Sequence, residues 1–219
     1  MDALNSQKSL PELILDRISN ASDKVWTPGD FADIGSRDAV DKALQRMVKN
    51  DQLRRIERGL YDKPSFNSLT GKPTVPDYRA VIDAVARRDK VRCLIDGMTA
   101  ANELGFTNAV PAKIEILVDA RLKPISLGNQ KIVFKNAAPS RLYWAGRPGM
   151  YLVQALHWLH DVMASEAEKD KIDKIVRKIL SDKKNGTKVA DDLKTGLSAM
   201  PIWMQNLLRK PLLLSDQAA

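Results

Sequence analysis

The chain has 219 residues, of which 44% are hydrophobic and 28% charged, and carries a formal net charge of +8. This is the composition of a globular protein with room for two small domains, and the charge suits a polyanionic partner. The longest apolar run, residues 151–159, is broken by Gln154 and His157 and falls far short of a bilayer span, and no basic stretch followed by an apolar one opens the chain. A single cysteine, Cys93 within VRCLI, excludes an internal disulfide and reads as a small buried hydrophobe, while aromatics at 5% argue against a base-stacking single-strand binder. A cytoplasmic protein is expected.

Residues 8–20 place Leu10, Leu13, Ile14 and Ile18 at helical intervals, with Pro11 near the start. The stretch 26–64, WTPGDFADIGSRDAVDKALQRMVKNDQLRRIERGLYDKP, is the most informative. Thr27-Pro28 is a helix start, and Gly35 is expected to break that helix after about two turns. Ser36 can cap the next helix, with Asp38 in its first turn. Val40, Ala43, Leu44, Met47 and Val48 give this second helix one apolar face, leaving Arg37, Lys42, Gln45, Arg46 and Lys49 outside. Residues 53–56 and 60–61 then read as two short strands around Glu57-Arg58-Gly59, with Gly59 able to take a positive φ. Two helices joined at a glycine turn and followed by an arginine-rich ribbon follow winged helix-turn-helix logic. Between residues 42 and 63 there are seven basic residues against three acidic, although residues 1–75 balance at twelve against eleven. The positive charge is therefore concentrated where such a helix and wing would meet phosphate. Ser36, Arg37, Lys42, Gln45, Arg46 and Lys49, with Arg54, Arg55 and Arg58 on the wing, are the candidate DNA contacts.

Residues 64–76, PSFNSLTGKPTVP, are rich in proline and small polar residues and read as a connection between domains. The expected division is a winged helix-turn-helix at 1–66, a linker at 67–76 and a mixed α+β domain at 77–219 that ends in helices. Asp77 caps a helix through Tyr78, Val81, Ile82 and Val85 that ends in Arg87-Arg88-Asp89-Lys90. Residues 93–95 are short and apolar, 99–104 form a helix stopped by Gly105, and 114–118 alternate as a strand. Residues 123–127 and 131–135 flank Gly128-Asn129 as a hairpin. Helices follow at 149–164, through Ile172, Ile175, Val176, Ile179 and Leu180 to a stop at Asn185-Gly186, and at 203–209. The fold class is α+β.

Three segments, WTPGDFADIGSRDAVDKALQRMVKNDQLRRIERGLYDKP, DGMTAANELGFTNAVPAKIEILVD and APSRLYWAGRPGMYLVQALHWL, resemble AbiEi-type antitoxins of bacterial abortive-infection systems over about residues 8–165. The resemblance implies an N-terminal winged-helix domain that represses its own operon by binding double-stranded operator DNA upstream of it, and a C-terminal domain that neutralises a nucleotidyltransferase-like toxin without requiring a stable complex. It places DNA contact at Arg37, Lys42, Gln45 and Arg46 on the second helix and at Arg54, Arg55 and Arg58 on the wing.

Chemistry has few places to sit. Glu115 and Asp119 fall on one face of a predicted strand, but the Gly-Ser turn and close acid pair of a nucleotidyltransferase are missing. His157 and His160 are three apart on a helix without a third ligand nearby in sequence, and read as a partly buried packing pair. No phosphate-cradling glycine loop or nucleophile elbow occurs. No cofactor or metal is expected, and the chain reads as non-enzymatic. Residues 76–150 hold twelve basic groups against seven acidic, including Arg87, Arg88, Lys90, Arg92, Lys113, Arg121, Lys123, Lys131, Lys135, Arg141 and Arg147. They offer either an ordinary solvated surface or a contact face for nucleic acid or toxin. The alternatives to an autorepressor-antitoxin are a winged-helix transcription factor whose second domain senses a small ligand and, from another class, a nucleotidyltransferase-like enzyme.

Overall fold

The computed structural model of the chain describes residues 8–21, 23–108, 111–160 and 166–217. The fold is α+β, as expected, and the chain divides into two compact units: Met1–Val91 with Ile125–Asn129, and Arg92–Pro124 with Gln130–Ala219.

In the first unit, helix α1 (Leu10–Ser19) starts at a capping box. The Ser9 N–H and hydroxyl both donate to the Glu12 carboxylate, at 2.7 and 2.8 Å. Residues Pro28–Phe31 follow as a single 3₁₀ turn, shorter than the expected two-turn helix. A long-range contact accompanies the tighter turn. The Asp30 carbonyl, which an α-helix would offer to the amide of Ile34, accepts instead from Arg17 Nη1 at 2.8 Å, and the amide of Ile34 bonds the Phe31 carbonyl. Helix α2 (Arg37–Lys49) opens at Ser36, whose hydroxyl accepts from the Ala39 amide at 3.4 Å. Its Val40, Ala43, Leu44 and Met47 are buried, as their spacing predicts. Strands β1 (Arg54–Glu57) and β2 (Leu60–Asp62) pair antiparallel, with Arg54 opposite Asp62, Arg55 opposite Tyr61, and a bulge before Glu57. Trp26 adds to the far edge of β2, exchanging both backbone hydrogen bonds with Tyr61 at 2.7 and 2.9 Å. Ile14, Ile18, Trp26, Phe31, Val40, Leu44, Met47, Leu53 and Tyr61 share one core. Each such side chain contributes about 1.5–3 kcal/mol by leaving water.

Residues 64–76, expected as a linker, are an ordered hairpin inside the first unit. Phe66 and Pro73 form a bridge, and the Asn67 Oδ1 accepts from the amides of Leu69 and Thr70 at 2.9 and 3.0 Å. Asparagine's short amide closes such turns by standing in for a backbone carbonyl, so a composition typical of linkers here encodes a turn. Helix α3 (Tyr78–Asp89), capped by Asp77 as expected, also belongs to the first unit rather than opening the second.

The second unit is built on strands β3 (Cys93–Ile95), β4 (Lys113–Val118) and β6 (Gln130–Asn136), with β5 (Ile125–Leu127) grouped in the first unit. Strand β4 pairs antiparallel with β3 and parallel with β6, from Lys113 opposite Lys131 to Val118 opposite Asn136. It buries Ile114, Ile116 and Val118 in strict alternation. The turn between β5 and β6 falls at Gly128-Asn129, as expected, and holds Gly128 at φ +58°, in the left-handed region. Helix α4 (Gly97–Glu103) lies close along α5 (Met150–Leu159), where a Cβ on Gly97 would sit 2.6 Å from Trp158 Cβ. The last expected residues of that second helix, 161–164, lie outside the described residues. Helices α6 (Glu166–Leu180), α7 (Gly186–Thr195) and α8 (Ile202–Gln217) complete the unit. Gly186, read as a helix stop, starts α7 instead, and α8 runs longer than residues 203–209.

Candidate nucleic-acid interface

The sequence-predicted contacts sit on α2 and the ribbon of the first unit. Because α2 turns its apolar face inward, Ser36, Arg37, Lys42, Gln45, Arg46 and Lys49 are all exposed. The Ser36 hydroxyl is engaged as the cap, and the Arg37 Nε donates to Asp41 at 2.9 Å, one turn on. Lys42, Gln45, Arg46 and Lys49 form no side-chain hydrogen bond or ion pair with another described residue. The ribbon leaves the helix directly. The amides of Gln52 and Leu53 both reach back to the Met47 carbonyl at 2.9 and 3.4 Å, and Asp51 takes φ +55° to make the reversal.

The three ribbon arginines do different things. Arg54 stands opposite Asp62 in the ladder, and its guanidinium donates to both carboxylate oxygens at 3.0 and 2.5 Å and to the Thr74 carbonyl at 2.8 Å. Its side chain is 30% exposed and that of Asp62 8%. Arg54 is thus part of the scaffold, tying the ribbon to the 64–76 hairpin. Arg55 and Arg58 remain exposed and unpartnered among the described residues, with Arg58 beside Gly59 at φ +73°.

Helix α3 braces this assembly through two side chains that pattern reasoning had assigned to a separate surface. Arg87 donates to the Asp30 carboxylate at 3.2 and 3.4 Å and to the Val25 carbonyl at 2.8 Å. Burial pushes the Asp30 carboxyl up, but the Thr27 amide, Arg87 and the Thr27 hydroxyl outweigh it and hold the group below the ordinary aspartate value. Arg88 donates to the Arg58 carbonyl at 2.5 Å. The only signal in the sequence was the Arg-Arg-Asp run at a helix end, which is far more often solvated.

Elsewhere four members of the basic surface are compensated by acids. Arg92 is held by Asp119 at 3.0 Å, Lys113 by Glu115 at 2.6 Å with Lys135 on the same carboxylate, and Arg147 by Asp192 at 2.7 Å. The Lys113 and Lys135 hydrogen bonds hold the Glu115 carboxyl below its usual range, and the Arg92 amide and guanidinium do the same for Asp119. These two acids lie apart in role, one within β4 and one past its end, each as the centre of an ion pair. His157 and His160, expected as partly buried, are exposed and rest on Trp203 with ring centroids 6.1 and 4.4 Å away. Among the described residues no cluster of three metal-ligating side chains occurs, and no helix is long and apolar enough to cross a membrane.

The profile of a family of unknown function, DUF6088, matches residues 14–184. The chain belongs to this family. No curated protein matches the chain. The span shared with DUF6088 takes in all of α2, the ribbon and α3.

Proposed function

We propose that this DUF6088 protein is a DNA-binding autorepressor that also acts as the antitoxin against a nucleotidyltransferase-like toxin, and that it is not itself an enzyme. In this reading the 3₁₀ turn, α2 and the β1–β2 ribbon are a winged helix-turn-helix, with α2 as the major-groove helix and the ribbon turn as the wing. The observation that carries it is the exposed row of Lys42, Gln45, Arg46 and Lys49, without a partner among the described residues, on a helix whose other face is locked in the core. Such side chains have no partner among the described residues to give up, so their donors are available to phosphates and base edges. The Trp26–Tyr61 bridge supports the same reading, because it supplies the third strand position against which a wing is registered. Arg55 and Arg58 would lie along phosphate, whereas Arg54, fixed on Asp62, would set the wing's geometry. The antitoxin half rests on the resemblance of the three sequence segments to AbiEi-type proteins.

Arg46→Ala separates the two halves. Loss of a bidentate base contact should cost roughly 1–3 kcal/mol on the operator and much less on unrelated duplex. A reporter driven by the DNA upstream of the gene should therefore lose repression, while co-expression with the neighbouring toxin gene should still permit growth. Equal weakening on operator and random DNA would remove Arg46 as a base reader.

A second reading, a winged-helix regulator with a ligand-sensing second unit, is favoured by one feature. A groove of about 240 Å³ in that unit is lined by Leu197, Leu212 and Leu213, with Lys194, Gln205 and Arg209 at its sides. A downstream nucleotidyltransferase-like reading frame favours the antitoxin, and its absence favours the sensor.

A further inference from the structure

We infer that Arg88 is the positioning residue that fixes the ribbon turn, so that the DNA-binding surface extends structurally to the end of α3. The inference rests on the winged-helix reading above and adds a residue that does not itself touch DNA. Strands β1 and β2 have four and three residues, and a two-stranded ribbon that short is marginal on its own. Something must hold its tip. Arg88 is placed to do so by its own neighbour, for the Asp89 carboxylate takes Nε at 2.9 Å and Nη2 at 2.7 Å, a fork-on-fork pair that orients the guanidinium plane. The remaining terminal nitrogen, Nη1, donates to the Arg58 carbonyl at 2.5 Å. The Arg88 stem also lies under the turn, since a Cβ on Gly59 would come within 3.3 Å of Arg88 Cδ. Lys90, at φ +54°, ends the helix at once, which leaves Arg88 and Asp89 on its last turn facing the ribbon. Both side chains are about three-quarters covered, at 24% and 25% exposure. The guanidinium is thus committed within the protein, and what it holds is the backbone of Arg58, whose own side chain is exposed and without a partner among the described residues.

The competing role is a direct phosphate contact by Arg88, and a double-mutant cycle on the full-length chain tells the two apart. Wild type, Arg58→Ala, Arg88→Ala and the double variant are titrated with upstream duplex over a range of salt. Arg58→Ala should lower the magnitude of the log–log salt slope by about 0.9, the value of one phosphate contact. Arg88→Ala should lower it by no more than that, and the double variant should match Arg58→Ala. Arg88→Lys, which keeps charge but not the fork, should recover only part of the loss. Hydrogen exchange supplies the readout that needs no DNA: amides of residues 58–61 should exchange about tenfold faster in Arg88→Ala, with those of residues 40–44 unchanged. Additive slope losses would make Arg88 a phosphate contact and overturn the inference, as would unchanged exchange at the turn. If exchange rises but the wild type shows no salt-dependent duplex binding, the DNA reading fails by itself, and the positioning role for DNA falls with it.

Discussion

Arg54→Ala should destabilise the first unit more than alanine at either of the other ribbon arginines, Arg55 or Arg58. Removing one partner of a buried ion pair costs roughly 3–5 kcal/mol, because the other is left desolvated without compensation. The 30% exposure of the Arg54 side chain lets water reach part of the site and brings the loss to about 2–3 kcal/mol. Asp62, which is 6% exposed, would lose both of its guanidinium bonds, and the Thr74 carbonyl would lose its donor. Adding Asp62→Ala should restore part of the stability, since deleting both members of a pair avoids the stranded charge. Urea midpoints of the wild type, the single and the double variant measure this. A single variant as stable as the wild type would mean that Arg54 is a free surface cation after all, and would return it to the set of candidate DNA contacts.

Gly186→Ala should be clearly destabilising to the second unit. An added Cβ would sit 2.3 Å from the Leu180 carbonyl oxygen and 2.8 Å from its carbon, and backbone atoms cannot rotate away as a side chain can. The turn is held in place from its other side, where the Asp182 carboxylate accepts from the amides of Lys184 and Asn185 at 3.2 and 2.8 Å. Overpacking of this kind costs about 1–3 kcal/mol, and the rigid neighbour puts Gly186 at the upper end. Gly29→Ala is the control, because its new methyl would meet only Thr27 Oγ1 at 3.6 Å. Thermal unfolding should show a clear fall for Gly186→Ala and little change for Gly29→Ala. The reverse order would contradict the described approach of α7 to the end of α6.

The contrast between α2 and its surroundings shows what periodicity could and could not reveal. Val40, Ala43, Leu44 and Met47 recur at helical spacing, so both the buried face and the exposed row of Lys42, Gln45, Arg46 and Lys49 could be read from the chain. The Thr27-Pro28 start was equally legible, but the length of that helix was not. The turn keeps i→i+3 bonds throughout and its Asp30 carbonyl accepts from Arg17 of α1, a partner that nothing local records. Arg54 and Arg58 look alike in sequence. Only strand register, which puts Arg54 opposite Asp62, makes one of them scaffold and leaves the other free. Residues 64–76 had the composition of a linker, yet Asn67 folds them into a hairpin, so a domain boundary drawn there would cut away Thr74, Arg87 and Arg88 from the groups they support. The partners of the second unit's lysines and arginines are likewise set by tertiary placement, which a count of charges cannot supply.

The salt dependence of duplex binding by the full-length chain tests the central claim most directly. Lys42, Arg46, Lys49, Arg55 and Arg58 are the exposed cations of α2 and the ribbon without an internal partner among the described residues. With Arg46 given to a base edge and about 0.9 in log–log slope for each phosphate contact, three or four contacts predict a slope between roughly −2.7 and −3.6. The DNA immediately upstream of the gene should also bind more tightly than unrelated duplex at every salt concentration. A slope near zero, or equal affinity for both duplexes, would contradict the account.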